Sequence, residues 1–139
     1  MKKGFAINGA LATERDNGAL LERKIVVTKT PIDLEHLARY TGGDKVLNGE
    51  ILRLFDGQIT DMVTQLNSVR TQRDAKRWRE ITHTIKGAAR GVGAFEMGDV
   101  AAAAEPVDPA NGAKALDAIK ILEGEAETVR AFIRTYLAA

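Results

Sequence analysis

His83 is one of only two histidines in the 139-residue chain, and it opens the run HTIKGAARGVGAF, ending at Phe95. Imidazole is the side chain best suited to nucleophilic, acid–base or metal chemistry near neutral pH, because its reference pKa is about 6.5. Its neighbours narrow the choice. A metal site needs further ligands at short spacing, but His36 is far away in sequence and the chain has no cysteine. That lack also removes disulfide frameworks, thiol catalysis and cysteine-ligated zinc. A general base in an enclosed hydrolase site needs an orienting carboxylate and a pocket, and this face is expected to offer neither. Nucleophilic chemistry remains. Lys86 and Arg90 follow the histidine and Arg79 precedes it, and such cations attract and balance a phosphoryl group.

The helix that carries these residues decides whether the ring is accessible. At 100° per residue, Ile81, Ile85 and Val92 fall within about 20° of the direction opposite His83. Trp78, Ala88 and Ala89 flank them, so Trp78 is expected in the core. Lys86, Gly87, Arg90 and Arg79 lie on the histidine side. His83 is therefore expected to face solvent, one turn from Lys86 and Gly87. Glycine inside a helix costs about 1 kcal/mol relative to alanine. A glycine one turn from an exposed imidazole leaves one side of the ring bare, so that a partner can approach.

The remaining elements are read from caps and periodicity. Asp33 caps a short leading helix, LEHLARY, which Gly42 and Gly43 end. Asp44 caps a second helix running to about Val69, with apolar positions Leu47, Ile51, Leu54, Phe55, Met62, Leu66 and Val69. Asp74 caps the helix of His83. A fourth, short helix covers Phe95 to Glu105 and is stopped by Pro106 and Pro109. The last has Ala115, Ile119, Leu122, Ala126, Val129, Ile133 and Tyr136 at gaps alternating four and three. No strands alternate and no segment repeats. The expected fold is all-α: an antiparallel four-helix bundle with a short leading helix. Within it, His36 is expected to be a solvated surface side chain, Ala101 to Glu105 a close-packing face, and Glu96 and Asp99 ordinary solvated acids.

Residues 1–30 show no sustained period and are expected to form a mobile leader, with residues 31–139 as the bundle domain. Asp16-Asn17-Gly18 reads as a turn and Lys24 to Thr28 as a short strand without a sequence partner. The N-terminus, MKKGFAINGALAT, imitates a signal peptide, but Asn8 and two glycines interrupt a short apolar stretch. No apolar run approaches the roughly 20 residues of a membrane span. A cytoplasmic protein is therefore expected, and a monomer; 20 basic residues against 19 acidic ones leave a net charge of only +1, so no nucleic-acid or membrane partner is expected.

The run from His83 to Ala94 resembles the signature of histidine-containing phosphotransfer (Hpt) domains: a histidine, an aliphatic residue two positions on (Ile85), Lys86-Gly87, small residues, and a Gly-Ala pair (Gly93-Ala94) before the next helix. The similarity extends from about Ile32 to Tyr136. It implies that His83 accepts a phosphoryl group, that Lys86 lies near that group, and that Gly87 gives clearance. Arg90 and Arg79 join as partner-binding candidates on the wheel alone. The implied function is a carrier in a multistep phosphorelay, exchanging phosphate with receiver domains of response regulators and of a hybrid sensor kinase. No cofactor of its own is implied, and Mg²⁺ comes with the receiver. Kinase activity is not expected, because Thr84 stands where the dimerisation helix of histidine kinases usually has an acid, and no ATP-binding domain follows. A P-loop is not expected either, since GAARGVGA lacks the preceding strand and the Gly-Lys-Ser/Thr ending. The alternative is a helical adaptor that binds a receiver domain or a partner helix without carrying phosphate.

Overall fold

The computed structural model describes residues 30–139, and the expected leader, with its turn and strand, lies outside the described residues. Five helices follow in order: α1 (Leu34–Thr41), α2 (Lys45–Gln72), α3 (Ala75–Val92), α4 (Phe95–Ala104) and α5 (Gly112–Ala138). The caps work as their residue types dictate. Asp33 accepts from the backbone N–H groups of Glu35 and His36, Asp44 from Leu47 and Asp74 from Arg77. Gly42 and Gly93 close α1 and α3 in the left-handed conformation.

The four longer elements form a ring. α2 packs on α3 and α5, α4 packs on the same two, and α3 and α5 stand diagonally apart. Short connections make neighbours antiparallel, so the all-α bundle expected from the sequence is the observed fold. α1 leans on α2 and α3 at one end. Among the described residues no helix is long and apolar enough to cross a membrane.

The stripe of α2 differs from expectation. Leu47 and Leu54 are exposed, whereas Leu52, Phe55, Ile59, Met62, Leu66 and Val69 are buried. Those six positions alternate three and four without a break. A stripe started at Leu47 runs one edge too far round the helix and meets Gly57 and Gln58, which are exposed. The core lies between the α3-facing and α5-facing edges, and Leu52 and Ile59 mark it. α2 also runs on to Gln72, closing with Arg73 in the left-handed region at φ 57°. His36 is half-buried rather than solvated. Its ring stands edge-on to Tyr40 at 5.6 Å and to Phe95 at 5.0 Å, because α1 lies against the start of α4. In α5 the expected seam is buried from Ala115 to Ile133, with Tyr136 half-buried.

The α3–α4 turn is locked to the start of α1. The Asp33 backbone N–H donates to the Gly93 carbonyl at 2.9 Å. Gly93 has φ +94°, and a Cβ there would lie 2.7 Å from the Asp33 carbonyl oxygen. Gly87 is the reverse case: a Cβ there meets nothing within 4 Å. Gly93→Ala should therefore destabilise the fold by about 1–3 kcal/mol. Gly87→Ala should stabilise it by about 0.5–1 kcal/mol. Urea unfolding of both variants checks this pair; shifts of the same sign would show that the two glycines are not distinguished as the packing requires.

Candidate functional site

α3 buries Trp78, Ile81, Thr82, Ile85 and Ala89. With that face committed to the core, His83 is left on the opposite side, its side chain 67% exposed. Gly87 and Gly91 continue the exposed surface along the same helix and leave it bare. This is the arrangement the helical wheel anticipates.

The expectation that no carboxylate attends the histidine is corrected. Glu105, at the C-terminal end of α4, bridges His83 and Lys86. Its Oε2 lies 3.3 Å from His83 Nδ1, and its Oε1 accepts from Lys86 Nζ at 2.9 Å. Glu105 is therefore no mere end of a packing face. Antiparallel geometry explains its reach. Chain reversal at Gly93-Ala94 sends α4 back along α3 at the same 1.5 Å per residue. Glu105 lies about as many residues after the turn as His83 lies before it, so the two arrive level. Pro106, which lacks an N–H, ends α4 there. Trp78 fixes the level: its Nε1–H donates to the Ala104 carbonyl at 2.9 Å from inside the core.

The electrostatics of the bridge are asymmetric. The hydrogen bond from Lys86 lowers the Glu105 pKa from the usual 4.5, opposing the effect of desolvation, and contact with His83 adds to the lowering. Glu105 is thus ionised at neutral pH and can only accept. Its contact with the neutral imidazole then requires the proton on Nδ1, which leaves the Nε2 lone pair on the other edge of the ring. Because the folded value is depressed, the contribution of this bridge is present above pH 4.5 and is lost as the pH falls through the lower folded value.

The other candidates divide. Lys86 is three-quarters covered and tied to Glu105, next to His83 as expected. Arg90 pairs with Asp99 at 3.2 Å across the α3–α4 interface, so Asp99 is not simply solvated. Its aliphatic stem lies over Gly98, where a Cβ would come within 2.7 Å of Arg90 Cγ. Arg79 is exposed and meets no carboxylate among the described residues. Among the described residues no group of three or more histidine and carboxylate side chains is gathered as a metal site. The apolar groove of about 420 Å³ between α4 and α5 includes neither His83, Lys86, Gly87 nor Glu105.

A family model for the Hpt domain matches residues 50–132, from within α2 to near the end of α5. This chain belongs to the Hpt domain family. The comparison with curated proteins and the comparison with solved structures gave no match. The Hpt match spans the whole of α3 and α4, so it includes both the histidine run and Glu105.

The tautomer is directly measurable. Long-range ¹H–¹⁵N spectra recorded above the imidazole titration should show the His83 proton on Nδ1 in the wild type. In Glu105→Ala the proton should shift toward Nε2. The same tautomer in both proteins would show that Glu105 does not orient the ring.

Proposed function

We propose that this Hpt domain carries phosphate in a two-component phosphorelay, accepting it on His83 from a receiver-domain aspartate and returning it to another receiver. The observation that carries this reading is an imidazole standing in solvent with one nitrogen against a carboxylate and the other without a hydrogen-bond partner among the described residues. In the forward step, the Nε2 lone pair forms the N–P bond while the acyl-phosphate P–O bond breaks and the aspartate carboxylate leaves. The Nδ1 proton stays in place throughout. The ring gains positive charge as Nε2 gives up its electron pair, and Glu105 at Nδ1 balances that charge. Lys86 lies on the same carboxylate, one helical turn from His83, and adds positive charge beside the incoming phosphoryl group. Aspartyl phosphate and phosphoimidazole are both labile, so transfer can run either way.

The bare backbone at Gly87 and Gly91 gives the receiver its line of approach to Nε2, since an in-line displacement needs the acyl phosphate end-on to the ring. The receiver supplies Mg²⁺. The open face suits exchange between proteins, whereas a hydrolase would enclose its base. The setting is cytoplasmic, where response regulators and the receiver domains of hybrid kinases are available.

Incubation with a panel of phosphorylated receiver domains and Mg²⁺ should place acid-labile phosphate on the wild type and none on His83→Gln. Gly87→Gln should fold normally and slow transfer roughly tenfold or more by obstructing approach. Label on His83→Gln, or an unchanged rate in Gly87→Gln, contradicts this reading. Absence of transfer from every receiver favours the adaptor.

A further inference from the structure

Four cations share the His83 side of α3: Lys76 and Arg79 before the histidine, Lys86 and Arg90 after it. The structure separates them into two kinds. Lys86 and Arg90 are neutralised within the chain by Glu105 and Asp99. Lys76 and Arg79 are exposed, and among the described residues neither has a carboxylate within 4 Å. Their neighbour Arg77 is occupied by Glu80 and Gln65.

The dipole of α3 gives no reason for cations at its start. The positive end of the helix dipole is at the N-terminus, where acids stabilise and cations destabilise. The first turn of α3 has Lys76 and Arg77 and no acid. Just before it, the exposed Arg73 closes α2 at φ 57°, where a cation suits the negative end of that helix. Asp74 caps α3 and Glu80 pairs with Arg77, but among the described residues Lys76 and Arg79 have no acid within 4 Å.

We propose that the surface from Lys76 and Arg79 up to His83 is the electrostatic half of the docking face, and that it fits a receiver domain with an acidic surface beside its phosphorylated aspartate. This rests on the phosphotransfer reading above. The two halves of α3 then have different tasks. The C-terminal half, with Gly87 and Gly91 bare and its cations already paired, admits the partner closely. The N-terminal half attracts the partner and discriminates among receivers by the acids they present.

The test compares transfer from the best receiver of the panel to wild type, Lys76→Glu/Arg79→Glu, the milder Lys76→Gln/Arg79→Gln, and Lys120→Glu. Lys120 is an exposed cation on α5, which does not touch α3. At low salt the doubly reversed variant should lose about tenfold or more in kcat/KM, and the neutral variant should lose less. The dependence of the wild-type rate on salt, measured from about 20 to 500 mM, should flatten in both. The Tm of the reversed variant should be unchanged or raised, because acids now occupy the start of α3, and Lys120→Glu should transfer normally. Equal rates and equal salt dependence in wild type and both double variants overturn the proposal. So does a loss in Lys120→Glu equal to that of the neutral double variant, which changes the net charge by the same amount, since it would mark an effect of net charge alone. A wild type that accepts phosphate from no receiver instead overturns the phosphotransfer reading beneath it.

Discussion

One helix can commit only one face to a core. α3 spends that face on Trp78, Ile81, Ile85 and Ala89, all buried against the bundle. Everything at the site follows from the opposite face being left over. His83 is exposed because burying it would expose that apolar row. The anchoring is also directional, since the indole of Trp78 both fills the core and bonds the end of α4. Thus the residue that fixes the back of α3 sets the height of the carboxylate at its front.

The shortness of α4 is the second constraint. A helix of 10 residues against one of 18 stops partway down its neighbour. Its last carboxylate therefore falls beside the middle of α3 and not beside its N-terminus. Ala101 and Ala104 are buried where α4 meets its neighbours, and small side chains there let the helices approach closely. Glu105 then reaches two residues of α3 with its two oxygens. One oxygen accepts from Lys86 and the other lies 3.3 Å from His83 Nδ1. Lys86, Glu105 and His83 thus form one chain of contacts across the α3–α4 interface.

Much of this was legible in the sequence. The caps at Asp33, Asp44 and Asp74, the break at Gly42 and the seam of α5 are local chemistry, and each appears where its residue types put it; the end of α3 at Gly93 was implied by the resemblance. The outward face of α3 was legible as well, because its apolar residues cluster opposite His83. In α2 two apolar edges compete, and residue type alone does not say which edge faces the centre; Leu54 and Leu52 look equally suited until the neighbours are in place. His36 looked like a surface residue because nothing in its own helix covers it; Phe95, from α4, does. Glu105 was missed because periodicity within a helix says nothing of register between helices. A signal was present all the same: Gly93 marks the reversal and Pro106 marks the end of α4, and counting equally in both directions from the turn brings Glu105 opposite His83.

The central claim is that the carboxylate occupies Nδ1 and leaves Nε2 as the nucleophile. It is tested most directly by phosphorylating the protein and locating the phosphorus on the ring through its coupling to ¹⁵N-labelled imidazole. Phosphorus bonded to Nε2 of His83, with Nδ1 still protonated, is the result this geometry requires. Phosphorus on Nδ1, or on any residue other than His83, would contradict it.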